Sequence, residues 1–549
     1  MTIHLIKKMI FISSSLLLAG LLAACGAKGS QKSSLNQKQE ITWLTSAETP
    51  TADSVKEYDT VSTEQIDFFG EGLYKIDGKN DAQPALAAGN PIALNKAKTK
   101  YVVNLKKGLK WSNGSMLTAH DFVYAWRRLF NPKTAAQNAN VYYDIKNAEK
   151  INLGKKPVNS LGVKALSNTK LELTLERRDP YLKETLASEN LFPQDAKTVE
   201  KYGKKYGTSS SRLVADGPFI MKGWSGTNLN WRYVKNPYYW DKKNVHLDKI
   251  NVQVSKDPST GVKLFQAKKA DNAILSGYFV KQFKKNPDFK SILTLSMSNL
   301  EFGTSSNKNL QNVNLRKAIS LSLNRQELVG DVLSDGSRAA TGVIPKGLAK
   351  SPKDKTDLAV DAGNLLPYST KEAKQLWRKA QQQLHKKTVH FTLLTDDTAQ
   401  AKNTGEFVQS QIESKLPGVK ITLQSLPAQT RFTKMMTYKF DMALAGWSGD
   451  IDPFSMLQQF YSTFPHNHAK FNDKYYDQLL NKIQYHDLNN LNTRWSDLLK
   501  AQKYLLSNQQ AVVPLYQSSS DYLINPKLKG IVTHNLGTPI DLTHAYLSK

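Results

Sequence analysis

The stretch KYVVNLKKGLKWSNGSMLTAHDFVYAWRRLFNP, Lys100 to Pro132, spells out a strand, a turn and a capped helix in one unbroken run. Val102, Val103 and Leu105 predict a strand, and Asn113-Gly114 predicts a tight turn. Thr118 and Asp121 then form a capping box, in which each side chain satisfies a free backbone amide at the start of the next helix. In that helix Phe122, Trp126 and Phe130 recur at four-residue spacing with Ala125 and Leu129 beside them, so one face is buried. Asn131-Pro132 stops it, because the residue before a proline is held out of the helical region.

Outward from this run, short strands and amphipathic helices alternate. EITWLTS (Glu40–Ser46) reads as a strand, FFGEGLYKIDG as a helix end entering a strand, and KLELTLER as a half-exposed strand. ADGPFIMKGW and NLNWRYVKNPYYW read as two strands across a glycine-rich turn. NVNLRKAISLSLNRQELVGDVL holds two helices, the first lined by Leu315, Ile319 and Leu323 and the second capped by Asn324 with Glu327. HFTLLT and VKITLQSL flank the helix GEFVQSQIESKL, a strand-helix-strand unit of a parallel or mixed sheet. The class is α/β.

The chain has 549 residues and one cysteine, Cys25, in LAACG. Lys7 and Lys8 precede an apolar run from Met9 to Leu22, too short to span a bilayer comfortably but long enough for a secretion signal. The pattern resembles a bacterial lipobox. Residues 1–24 are then a cleaved signal, Cys25 the lipidation site, and 25–39 a polar tether with a reach of roughly 20 Å. No internal disulfide is possible, so folding rests on burial. The net charge of +28 comes from 12 arginines and 63 lysines, scattered rather than gathered into basic runs. Dispersed lysine makes a diffuse field, not a nucleic-acid site, so no nucleic-acid partner is expected.

Enzyme signatures are incomplete. GWSGD (Gly446–Asp450) departs from the nucleophile elbow at its last position, and Ser305 with Lys308 lacks the partner motifs of an S-x-x-K enzyme. There is no H-E-x-x-H, paired C-x-x-C or glycine-rich phosphate loop. His466 and His468 in FPHNHAKF have no further ligand fixed by sequence, and His120 falls on the capped helix. Neither catalysis, a metal nor a cofactor is expected.

What remains is a set of motifs in order: KWSNGSMLTAHDFVYAWRR (Lys110–Arg128), GPF (Gly217–Phe219), NPYYW (Asn236–Trp240), LRKAISLSLNR (Leu315–Arg325) and GWSGDIDPF (Gly446–Phe454). Together they resemble the oligopeptide-binding lipoproteins of bacterial ABC peptide importers, over nearly the whole mature chain. Two departures stand out: Thr304 where the family has Asn, and Asn324-Arg325 in place of Asp-Arg. The resemblance implies a two-lobed periplasmic-binding-protein-like fold (type II, cluster C) with an additional inserted domain and a hinge. Lobe I takes residues 40–75, 210–295 and 518–549, the inserted domain 76–209, and lobe II 296–517.

It further implies that Asp450 pairs with a ligand α-ammonium. Trp447 forms a wall of the site, and Gly446, Ser448, Thr304, Tyr58 and Asp59 are the other ligand-binding candidates. Asp452, directly before Pro453, reads instead as a helix cap. The implied partners are oligopeptides, the permease subunits of an ABC transporter and the membrane, with a monomeric receptor on the outer face of the cell membrane. A dipeptide, signalling-peptide or haem receptor of the same fold, or an anchored adhesion protein, are the alternatives.

Overall fold

A computed structural model describes residues 38–549. The signal, Cys25 and most of the tether lie outside the described residues.

The principal elements run as follows. A strand β1 (Glu40–Thr45) and helix α1 (Thr60–Phe69) precede β2 (Ile92–Ala93), β3 (Lys100–Asn104), α2 (Ala119–Phe130), β4 (Val163–Ser167) and β5 (Lys170–Thr174). Then come β6 (Phe219–Lys222), β7 (Asn230–Lys235), β8 (Lys249–Val254), β9 (Asn272–Leu275) and the long β10 (Phe289–Phe302). The chain continues through α3 (Val313–Ser322), β11 (Arg338–Ala339), β12 (Val389–Asp396), α4 (Ala399–Lys415), β13 (Val419–Leu426) and β14 (Met442–Ser448). It finishes with α5 (Phe454–Gln458), α6 (Leu491–Lys503) and the long β15 (Val512–Ile524).

Three sheets organise these strands. The first has the order β1-β8-β7-β6, the second β2-β3-β5-β4, and the third β9-β15-β10-β14-β12-β13 with β11 added on β15. The third is mixed: β10 is antiparallel to β14 and β15, while β12 is parallel to β13 and β14. The β12-α4-β13 unit is the one its hydrophobic pattern predicts.

Local sequence accounts for the best-formed elements. Thr118 Oγ1 accepts the His120 amide at 3.3 Å and Asp121 Oδ2 accepts the Thr118 amide at 2.7 Å, which completes the capping box of α2. Phe122, Trp126 and Phe130 are fully buried, and Trp126 Nε1 donates to the Leu191 carbonyl at 2.9 Å. Burial of each such side chain stabilises by roughly 1.5–3 kcal/mol. Two arginines of LRKAISLSLNR prove structural. Arg316 donates to the carbonyls of Leu310, Gln311, Gln509 and Gln510 at 2.6–2.9 Å, and Arg325 to those of Pro514, Ser320 and Leu323. Both are buried against carbonyls rather than carboxylates, and burial pushes the Arg316 pKa down to about 10.

Among the described residues, only β10 and β15 run continuously from one body of the molecule to the other within the third sheet. Their pairing goes from Phe289↔Leu523 to Leu293↔Ser519, breaks, and resumes from Met297↔Gln517. Ile292 and Ile524 pack into the core of the first sheet, whereas Leu300, Phe302, Val513 and Leu515 pack into the core around α3 and α4. The break in register therefore falls where the two strands change cores.

Candidate ligand cleft

The site is built at the end of β14. Hydrogen bonding to β10 runs from Phe302↔Met442 to Ser296↔Ser448, and the Gly449 amide continues it by donating to the Leu295 carbonyl at 2.8 Å. On the other edge β12 meets β14 only at Met442 and Ala443. From Leu444 to Ser448 that edge has no strand beside it among the described residues. Gly446 and Ser448 are exposed, and Ser448 Oγ lies 2.7 Å from Ser296 Oγ. An open run of backbone donors and acceptors is the geometry that accepts an added strand.

Asp450 follows at the end of this edge. Its Oδ1 accepts the Ile451 amide at 2.7 Å, and its own amide donates to Ser455 Oγ at 3.1 Å. Burial raises its pKa, the Ile451 amide opposes that and the neighbouring Asp452 adds to it; no cation acts on it among the described residues. Asp452 differs. It accepts the Phe454 amide at 3.0 Å, as the cap reading expects, and also holds the Arg494 guanidinium at 3.0 and 2.6 Å. Sequence reasoning missed Arg494 because nothing local links it to Asp452.

Across from these residues stands the body that carries α2. Tyr142 feels the Asp450 charge, and its hydroxyl donates to Asn190 Oδ1 at 3.2 Å. Asn190 Nδ2 in turn donates to Glu57 Oε2 at 3.1 Å. Burial pushes Glu57 up to about 7 and holds Glu189 well above the carboxylate range. The two bodies touch directly: Arg178 Nη1 donates to Asn489 Oδ1 at 3.2 Å, and Arg177 lies 5.1 Å from the Tyr485 ring centre.

Gly446, Trp447, Ser448 and Asp450 thus come together. Trp447 packs against Phe464 and His466 at 6.1 and 6.4 Å between ring centres, and its Nε1 is buried without a hydrogen bond. Tyr58 is exposed, and Asp59 caps α1 by accepting the Ser62 amide at 2.8 Å, on the same body as Glu57 and Tyr142. Thr304 does not join this group. It follows the far end of β10, whose last residue, Phe302, is six strand steps or about 20 Å from Ser296, with its hydroxyl on the Ala469 carbonyl. His468 pairs with Glu301 at 3.0 Å, and no trio of His, Cys, Asp or Glu suited to a metal occurs among the described residues. An open depression of about 610 Å³ beside His120, Tyr124 and Arg127 lies on α2 and shares no residue with this group.

Two bodies joined by a pair of strands are the architecture of a type II periplasmic-binding-protein fold, and solved structures of that fold superpose on this chain. The chain belongs to the bacterial extracellular solute-binding proteins, family 5, whose pattern matches residues 81–468. It is 34% identical to a dipeptide-binding protein of Lactococcus lactis subsp. cremoris, over 98% of this chain and 99% of the relative. Among solved structures, Listeria monocytogenes OppA bound to peptide superposes with a TM-score of 0.81 at 34% identity, covering 94% of this chain and 100% of the other. The substrate-binding domain of an oligopeptide ABC transporter from Bacillus anthracis does so with a TM-score of 0.81 at 36% identity, over 94% and 100%.

Proposed function

We propose that this chain is a lipid-anchored extracellular receptor that binds oligopeptides between its lobes and hands them to an ABC-type peptide importer. The observation that carries the reading is the free edge of β14 ending at Asp450. A peptide backbone laid along Leu444–Ser448 would pair as an added strand, leaving its α-ammonium to the carboxylate that lacks a cation. This recognises what all peptides share, and side chains are left to pockets such as that of Trp447. Tyr58 and Asp59 belong to the facing wall, while Thr304 serves the loop at Ala469. The lobes divide as 40–75, 210–295 and 518–549 against 296–517, with 76–209 inserted, and they swing about the register break of β10 and β15. The receptor works as a monomer.

The dipeptide-binding relative favours a second reading, in which only short peptides fit. Calorimetry on the mature chain with unmodified peptides of two to nine residues decides between them. Binding of peptides longer than two residues supports the oligopeptide reading, binding of dipeptides alone supports the second, and no binding at any length removes both. The anchor is tested separately: Cys25→Ser should release the protein from membrane fractions, and equal retention would sink the lipoprotein reading.

A further inference from the structure

Oxygen atoms gather without a cation where β10 and β15 cross between the lobes. Asp521 on β15 is 3% exposed, and its Oδ1 makes no hydrogen bond. Its Oδ2 lies 2.8 Å from Ser519 Oγ, and that hydroxyl also contacts the Asp335 carbonyl. A serine hydroxyl has one proton and can donate to only one of the two. Asp335, 8% exposed, accepts the Ser337 amide at 3.1 Å and Gln400 Nε2 at 3.0 Å, both uncharged donors. The Ser337 hydroxyl is buried with no partner, on a residue 9% exposed.

Gly336 stands among these groups with φ +79°. A Cβ placed on it would lie 2.5 Å from Ser291 Oγ, 3.0 Å from Ser519 Oγ and 3.0 Å from Asp521 Oδ1. Three side-chain oxygens therefore converge on the one position in the loop that carries no side chain. Neither Asp335 nor Asp521 makes an ion pair among the described residues.

We propose that Asp521, Asp335 and the hydroxyls of Ser291, Ser337 and Ser519 form a binding site for a hard divalent cation of the calcium class. The donors are all oxygen, from carboxylate, carbonyl and hydroxyl groups. Calcium takes six to eight such ligands in flexible geometry, whereas magnesium demands a near-ideal octahedron and zinc or copper favours nitrogen and sulfur. No metal motif in the sequence points here, and these five residues come from three separated segments. Ser291, Ser519 and Asp521 fall in the segments assigned to lobe I, and Asp335 and Ser337 in lobe II. A cation here would tie the lobes together at their crossing.

The mature chain, stripped with chelator and dialysed, is titrated with CaCl2 by calorimetry, with MgCl2 in parallel. The expected result is one calcium per chain with Kd of about 10⁻⁴–10⁻³ M, as in extracellular calcium modules, and weaker magnesium binding. Asp521→Asn should weaken calcium at least about tenfold, and Ser337→Ala about threefold or more, by loss of a charged and a neutral ligand respectively. No heat and no thermal shift with calcium at about ten times that Kd would overturn the proposal. So would unchanged calcium affinity in Asp521→Asn. If Asp521→Asn does not fold, Ser337→Ala decides, and unchanged affinity there overturns it equally.

Discussion

Arg494 grips both carboxylate oxygens of Asp452, at 3.0 and 2.6 Å, whereas Asp450, two residues earlier in the same loop, has no cation at all among the described residues. One acid of GWSGDIDPF is thus committed to the fold, and the other, unpaired among the described residues, is the one proposed to meet a peptide ammonium. The predictions below separate these two roles.

Asp450→Ala should weaken binding of unmodified peptides by 30-fold or more. Truncating one partner of a buried, hydrogen-bonded charge pair costs about 2–5 kcal/mol, or roughly 30-fold to several thousand-fold in affinity. Acetylating the peptide amino terminus should hurt the parent protein in the same way but matter much less to Asp450→Ala. Calorimetry on the four combinations forms a double-mutant cycle. Losses that simply add would remove Asp450 as the ammonium partner.

Peptide affinity should also fall on acidification, at a pH above the ordinary aspartate range. Burial raises the Asp450 pKa in the empty receptor, and an ammonium beside the carboxylate would lower it again. Binding therefore releases a proton as pH drops toward the raised value, and affinity declines with it. Kd measured between pH 4 and pH 8 should show this slope in the parent protein and lose it in Asp450→Asn, within about half a log unit.

Stability should move in opposite directions at the two acids. A carboxyl whose folded pKa is raised binds more protons folded than unfolded, so its effect on stability turns unfavourable as pH climbs above the unfolded value. Asp450→Asn removes that cost, and the empty receptor should be as stable as the parent at neutral pH or up to about 1–2 kcal/mol more stable. Asp452→Asn instead leaves the buried Arg494 without its counter-charge. Because the Asp452 side chain is 33% exposed, the loss should be about 1–3 kcal/mol, below the range for a fully buried pair. Denaturant melts of both variants check the signs.

Arg316→Met should destabilise by about 2–4 kcal/mol, since four carbonyls of two separate segments lose their donor together. Arg316→Lys keeps the charge but not the fork of donors, and should fall between Met and the parent. Denaturant midpoints at constant slope measure the series.

Where neighbours in the chain determine the outcome, the sequence was readable. Thr118 and Asp121 are three residues apart, and the box they form is the one their types dictate. Asp450 is singled out by the motif around it, and its pairing with a peptide ammonium is a proposal. Arg494 for Asp452, Glu301 for His468, Tyr142 opposite Asp450 and the oxygens around Gly336 were not legible. Each depends on which strands and loops become neighbours, and the order β9-β15-β10-β14-β12-β13 joins segments far apart in the chain. Periodicity tells which face of a strand is buried; it does not name the strand beside it.

The free edge of β14 has a cost when nothing is bound to it. Unpaired strand edges are templates for pairing with other chains, including copies of the same one. This edge is short and set between two lobes, so a slender strand end can reach it where a folded sheet cannot. In the proposed binding mode a peptide would occupy it. The receptor is then most prone to self-association when peptides are scarce, and its solubility in storage should depend on how thoroughly it has been stripped of ligand.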